Sequence, residues 1–146
     1  VMKIFFKLVS SAAILSILFI PNTAAQTPLT IAELKTYLNN SQILLTYRKG
    51  GALYGTNYAV KIHYCSTGHY GLYGRSQKQT VLDNKQNNNW QEFGSWKVVK
   101  YKGTVGVYTK TTNAQQNFVP VYRLANGSLT IGEGSSIVRQ GRAVCN

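Results

Sequence analysis

Turn residues and side-chain alternation agree on strand register in this sequence, and that agreement constrains the fold more than any other feature. Slipping a strand by one residue turns every side chain to the opposite face, so a register that satisfies both signals is strongly specified. Ser66-Thr67-Gly68 suits a three-residue hairpin loop with glycine in the left-handed conformation. Folding there pairs Tyr64 with Tyr70 and Ile62 with Leu72. We therefore predict an antiparallel hairpin at this loop.

A second hairpin is predicted at Asn126-Gly127, a dipeptide in which both residues tolerate positive φ. A two-residue turn there pairs Leu124 with Leu129 and Tyr122 with Ile131, so that apolar side chains oppose apolar ones. Because turn type and hydrophobic pattern agree again, the same kind of register is expected here.

Lys102-Gly103 is a weaker turn signal, but it sets Val98 against Val107 and puts Trp96 on the same face. Together the three hairpins predict a β-meander with one apolar face. The side chains expected to face inward are Ile62, Leu72, Trp96, Val98, Val107, Tyr122, Leu124 and Ile131, and those expected to face outward are Lys61, Lys97 and Arg123.

One helix is predicted before the strands. Thr30 and Glu33 have the spacing of a capping box, in which each side chain accepts a hydrogen bond from the other residue's free backbone N–H. The apolar residues that follow recur on one helical face, and Asn39-Asn40-Ser41 ends the run. A helix this short needs an apolar surface to lie on.

The rest of the chain is expected to complete a small barrel. Further strands are predicted at 43–48, around 79–82 and at 136–139, and residues 83–89 (DNKQNNN) form a loop of distinct composition. About eight short strands at this spacing are typical of a barrel or a sandwich. We therefore predict a mainly β fold, a small antiparallel up-and-down barrel with one short N-terminal helix, and a β-sandwich is the alternative.

Residues 1–25 have the three parts of an export signal. Lys3 and Lys7 begin it, an apolar run follows, and Thr23-Ala24-Ala25 supplies small residues at the cleavage site. Cleavage near Ala25 leaves a single domain, 26–146, in a secreted or periplasmic location. The 14 basic and 4 acidic residues of this domain give a net charge of +10, which favours anionic partners.

Cys65 and Cys145 are the two cysteines of the exported part, and an oxidising compartment allows them one pairing. The first hairpin also places Lys61, His63 and His69 near Cys65, on the face opposite the apolar one. The favoured interpretation is a disulfide beside two ordinary surface histidines. The alternatives are a Cys/His metal site, and a metal-free ribonuclease with two histidines as acid and base and a lysine that stabilises the phosphorane.

Short motifs along the chain carry a family resemblance. They are Ile62-His-Tyr-Cys-Ser-Thr-Gly-His-Tyr70, then Phe93-Gly-Ser-Trp-Lys-Val98, then Asn126-Gly-Ser and a C-terminal cysteine. This pattern resembles small bacterial secreted domains of lipocalin-like type, which carry a C-S-x-G-x-Y step, a G-x-W strand start and a late strand after an N-G turn. The resemblance implies a small β-barrel and implies no particular activity.

The candidate binding site is the loop around Trp90. A loop tryptophan flanked by amides can stack on a sugar or a base while the amides bond its polar edge. Asp83 and Glu92 flank the same loop, but no spacing requires them to meet as a catalytic pair. The candidate binding residues are Trp90, Asn88, Asn89 and Gln91, with the basic side chains Arg75, Lys78 and Lys85.

The sequence therefore predicts a non-enzymatic exported binding module for an anionic or glycan-like partner, with no cofactor, no metal ion and no membrane span. A small-ligand carrier that uses the barrel interior is one alternative, and the ribonuclease is the other. An open apolar pocket inside the fold would favour the carrier, and a filled interior would favour the surface binder. The aromatic residues expected to line such a pocket are Tyr58, Tyr64, Tyr70, Trp96 and Tyr122.

Overall fold

The computed structural model describes residues 26–51, 54–79, 86–132 and 134–146, so the expected export signal lies outside the described residues. Within these ranges the chain forms one short helix and a single sheet of ten antiparallel strands. In chain order the elements are β1 (Gln26–Thr27), α1 (Ile31–Leu38), β2 (Ser41–Gly50), β3 (Gly55–Tyr64), β4 (His69–Gln79), β5 (Gln86–Tyr101), β6 (Thr104–Thr111), β7 (Gln116–Pro120), β8 (Tyr122–Leu124), β9 (Leu129–Thr130) and β10 (Ser136–Arg142).

The strands follow one another around a nearly closed barrel. Strands β2 to β7 pair in chain order, and β10 returns to pair with the free edge of β2. Where the chain passes from β7 to β8, the backbone N–H of Val121 donates to the carbonyl of Val105, which ties the crossing to β6. The predicted up-and-down barrel is therefore confirmed. The strands form one continuous sheet and not the two packed sheets of the alternative β-sandwich.

Two of the three predicted hairpins have the predicted register. Gly68 adopts a φ of +88°, as the three-residue loop requires, and Lys102 and Gly103 both have positive φ. Both turns are therefore of the type that the sequence indicated. The confirmed pairs are Tyr64 with Tyr70, Ile62 with Leu72, and Val98 with Val107.

The third hairpin is shifted by one residue from the prediction. Gly127 has a φ of +88°, whereas Asn126 keeps a negative φ and its side chain accepts a hydrogen bond from the backbone N–H of Ser128 at 2.9 Å. The loop consequently has three residues rather than two, and Arg123 lies opposite Leu129. Directly opposed residues share a face of the sheet, so Arg123 shares the face of a buried leucine.

This shift overturns the predicted faces of β8. Tyr122 and Leu124 are only half-buried and lie outside the central apolar cluster. Arg123 forms an ion pair with Glu33 at 3.4 Å and donates a hydrogen bond to the carbonyl of Pro28 at 3.1 Å. The strand is thus held to the start of α1 by the residue that was expected to face solvent.

The remaining face predictions are confirmed. Lys61 and Lys97 are exposed. The apolar cluster inside the barrel includes Ile62, Trp96 and Val107. The partly buried side chains that pack against it include Leu72, Val98 and Ile131.

Helix α1 begins with the predicted capping box. The backbone N–H of Glu33 donates to Thr30 Oγ1 at 3.1 Å, and the backbone N–H of Thr30 donates to Glu33 Oε2 at 3.0 Å. Leu34 and Leu38 are buried and turn toward the barrel. The helix packs against β2, β5 and β6, where it covers one end of the barrel.

The predicted disulfide is present at the same end. Cys65 and Cys145 are joined, with Cα atoms 5.9 Å apart. The indole N–H of the buried Trp96 donates to the carbonyl of Cys65 at 2.9 Å. The C-terminal tail is therefore fixed to the end of β3.

The loop predicted at 83–89 is partly a strand. Residues 80–85 lie outside the described part of the chain, but 86–89 begin β5 and pair with 75–78 of β4. Asparagine is disfavoured in strands, so its cluster indicated a loop, and the ladder to β4 overrides that preference.

Candidate functional site

The barrel encloses a cavity of about 250 Å³. Its walls are inward-facing positions of β2 to β7 together with β9 and β10, and Leu34 and Leu38 of α1 close one end. Most of the lining is aliphatic, including Leu45, Val60, Leu72, Val107, Val119 and Ile137. The side chains inside the barrel therefore leave open apolar space between them.

The aromatic part of the lining differs from the prediction. Tyr64 and Tyr70 line the cavity as expected, and Tyr47 and Trp90 join them. The predicted aromatic residues that lie outside the lining are Tyr58, Trp96 and Tyr122.

In the described part of the chain one carboxylate lines this apolar cavity. Glu92 is partly buried on β5, opposite Leu72, and its Oε1 accepts a hydrogen bond from the hydroxyl of Tyr70. Burial first, and the Glu92 carboxylate next, raise the pKa of Tyr70 well above its ordinary value, so this hydroxyl remains a donor. Thr109 and Asn117 add further polar groups to the lining.

Three aromatic rings cluster at the end of the barrel away from α1. The rings of Tyr47 and Tyr58 stack with centroids 4.6 Å apart, and the ring of Trp90 meets Tyr58 edge-on at 6.2 Å. Gly74 lies opposite Trp90, and a Cβ atom there would come within 2.2 Å of the indole. The prediction that Trp90 stands on a loop is therefore wrong, because its ring packs across a glycine in the sheet.

An open polar basin of about 740 Å³ lies on the outer face of β2 to β5, since its polar side chains alternate along these strands with the residues that line the cavity. Arg48 is fixed there by hydrogen bonds to Asn57 Oδ1 at 2.8 Å and to the carbonyl of Gly51 at 2.9 Å. The other polar lining residues include Arg75, Gln77, Asn87 and Asn89. The sheet thus has an apolar cavity on its inner face and a polar, basic basin on its outer face.

The structure brings part of the predicted binding set together on the outer surface. Arg75 lies opposite Asn89 in the β4–β5 ladder, and Gln91 follows on the same face. These three side chains, with Lys61 and Tyr73, line an open groove of about 860 Å³. Trp90 lines both this groove and the internal cavity.

The other members of the predicted set lie elsewhere. Asn88 alternates with Asn89 and therefore belongs to the opposite face of β5, where it is paired with Ser76. Lys78 pairs with Gln86 near the end of β4. Lys85 lies outside the described residues.

The two histidines have different surroundings. His63 is buried, which corrects the expectation of a surface histidine, and its Nδ1 accepts a hydrogen bond from the backbone N–H of Val144 at 3.0 Å. Burial first, and the nearby Lys61 second, lower the pKa of His63. His69 is exposed, with its Nδ1 3.3 Å from Thr67 Oγ1. These contacts give His63 a structural role in holding the tail.

The alternative of a Cys/His metal site requires a free thiolate at Cys65, but Cys65 is in the disulfide. Among the residues that the structure describes, no three His, Cys, Asp or Glu side chains are grouped as metal ligands. In the same part of the chain, no helix is long and apolar enough to cross a membrane.

Glu92 is a candidate site residue whose inward position was not predicted from the sequence. The alternation that placed Trp96 inward also places Glu92 and Trp90 inward, since they are separated from it by even numbers of residues. The Asn-rich segment obscured this signal, because it ended the expected strand too early.

No protein-family model matches this sequence, and no curated protein is significantly similar to it. The lipocalin-like resemblance therefore rests on short motifs. The structure establishes the coarser statement, a mostly β, nearly closed barrel with one short helix.

Proposed function

We propose that this protein is an exported, non-enzymatic carrier that holds a small, largely apolar ligand inside its lipocalin-like barrel. The observation that supports this function best is the cavity of about 250 Å³ with an aliphatic and aromatic lining. Barrels of this size either fill with side chains or hold one small ligand, and this one keeps open space. Apolar pockets with a few polar groups are the usual form of a small-molecule site.

The two ends of the barrel suggest the route of entry. The end near α1 is covered by Leu34 and Leu38 and fixed by the disulfide. At the other end Tyr47 lines the cavity, and its ring stacks on that of Tyr58. A ligand would therefore enter at the end away from α1, past this aromatic pair.

Filling the cavity tests the function. Ile137 lines the cavity and the next residue of β10, Val138, is exposed, so Ile137→Trp and Val138→Trp add the same group inside and outside the barrel. Three probes of similar size are phenethylamine, propylbenzene and hydrocinnamate, which end in an ammonium, a methyl group and a carboxylate. We expect calorimetry to detect binding of at least one probe to the wild type and to Val138→Trp. Ile137→Trp should abolish it, because the indole takes up the space.

The proposal is wrong if the wild type binds none of the three probes. It is equally wrong if Ile137→Trp is folded by circular dichroism and binds them as well as Val138→Trp does.

A second candidate is the surface binder for an anionic polymer or glycan, and the outer groove favours it. Lys61 and Arg75 supply positive charge there, and Asn89 and Gln91 supply amides beside the exposed ring of Tyr73. Such a combination can bind acidic groups and sugar hydroxyls together. Binding that weakens with salt and requires Lys61 and Arg75 would support this function.

A further inference from the structure

We infer that the cavity selects a ligand whose apolar body carries a cationic amine, and that the amine binds the carboxylate of Glu92. This inference rests on the proposed carrier function and names the chemical class of its ligand. It follows from the position of one acidic side chain in a chamber whose lining is mostly apolar.

Glu92 occupies a position that packing alone does not explain. Most of the residues that share the cavity wall with Glu92 are apolar, and Leu72 lies directly opposite. Moving a carboxylate out of water is costly unless it is paired or hydrogen-bonded. The side chain is only partly buried, and it reaches the open space of the cavity.

The hydrogen bonding of Glu92 is one-sided. Oε1 accepts from Tyr70, and within the described ranges no donor contacts Oε2. The ion pair found among the described residues joins Glu33 to Arg123 at the outside of α1, so Glu92 has no basic partner there. A bound ammonium group would supply the missing donor and the missing positive charge.

The surroundings of Glu92 also suit a cation. The rings of Tyr70 and Trp90 belong to the same lining, and aromatic faces attract ammonium groups. An anionic ligand end would instead meet the Glu92 carboxylate, and like charges at close range disfavour binding. A neutral apolar ligand would leave Oε2 without a partner.

The volume of the cavity limits the size of the ligand. An apolar cavity of about 150 Å³ is known to hold benzene, so 250 Å³ accepts one ring with a short side chain or a small fused ring system. Arylalkylamines have these dimensions.

Probes of matched size test the inference. Phenethylamine, propylbenzene and hydrocinnamate are titrated by calorimetry into the wild type, Glu92→Gln and Glu33→Gln. We expect the wild type to bind the amine roughly tenfold or more tightly than the other two, as charge-assisted hydrogen bonds allow. Glu92→Gln should remove this preference, since Gln can still accept from Tyr70 but carries no charge. Glu33→Gln removes a carboxylate from the outer surface and should preserve the preference, because Gln also completes a capping box.

The outcomes separate the inference from the carrier function. Equal binding of the three probes to the wild type, or a preference for the amine that survives in Glu92→Gln, overturns the role of Glu92 and leaves the carrier standing. Binding of the amine that is unaffected by Ile137→Trp places it outside the cavity and overturns both. A Tyr70→Phe variant that still prefers the amine, with Glu92→Gln neutral among the probes, supports Glu92 as the residue that binds the ligand.

Discussion

His63 holds the C-terminal tail through an uncharged ring. Its Nδ1 accepts from the backbone N–H of Val144, so the proton of the neutral ring lies on Nε2. A protonated imidazole has no lone pair for that bond. Burial, followed by the positive charge of Lys61, lowers the pKa of His63, and both effects favour the neutral form that the tail requires.

This arrangement predicts a pH dependence of stability with a definite sign. As pH falls, His63 of the unfolded chain becomes protonated near the ordinary histidine pKa. In the folded chain His63 becomes protonated only at lower pH. The unfolded state therefore binds more protons, and the free energy of unfolding decreases as pH falls from about 7.5 to about 5.5. Urea unfolding with the disulfide intact should show this slope in the wild type and in His69→Gln. His63→Gln, whose amide oxygen can still accept from Val144, should have a flatter profile, and an unchanged slope there would contradict the assignment.

Among the elements, α1 depends most on its cap. It has eight residues, which is below the length at which a helix is stable alone in water, and two of them close the cavity. Thr30 and Glu33 satisfy each other's backbone N–H groups at its start. The end wall of the cavity is thus held in place by the capping box as well as by packing.

Removing the cap should lower stability by a modest and specific amount. Thr30→Ala is expected to reduce the free energy of unfolding by about 1 kcal/mol, because the N–H of Glu33 loses its acceptor. Thr36→Ala changes an exposed threonine of the same helix and should have almost no effect or a slightly stabilising one. Urea denaturation of both variants measures the difference. Equal losses of stability in Thr30→Ala and Thr36→Ala would show that the capping hydrogen bonds add no stability beyond that of the helix packing.

Element by element, local chemistry decided which registers were predictable. Gly103 and Gly68 both take positive φ, and the hairpins around them have the predicted pairs. At Asn126 a side-chain hydrogen bond to Ser128 competed with the turn that the dipeptide favours, and the register moved by one residue. A sequence pattern does not reveal which of two local hydrogen bonds forms.

At the scale of the whole molecule, the barrel was predictable and its cavity was not. Three hairpins and a capped helix are local signals, and their order alone implies an up-and-down sheet. The open space depends on how inward side chains from eight strands and a helix pack together, which no single segment encodes. Side-chain alternation counted back from Trp96 places Glu92 on the inner face, but the asparagines before Trp90 favour a loop over a strand and so conceal this signal.

The final prediction concerns the positive charge of the whole molecule, which amounts to +10 after removal of residues 1–25. If the outer groove binds anionic polymers, affinity for a heparin-like polysaccharide should fall linearly with the logarithm of salt concentration, because each contact releases counterions. A Lys61→Gln/Arg75→Gln variant should bind more weakly and with a shallower slope than Lys35→Gln/Lys110→Gln, which loses the same charge from exposed positions outside the groove. Equal losses of affinity in the two variants would mean that net charge alone attracts the polymer, and binding that does not depend on salt would exclude the electrostatic mechanism.

RNA is titrated in the same series, and its integrity is followed on gels. Cleavage that persists in a chelator and disappears in His63→Gln or His69→Gln would establish the ribonuclease instead.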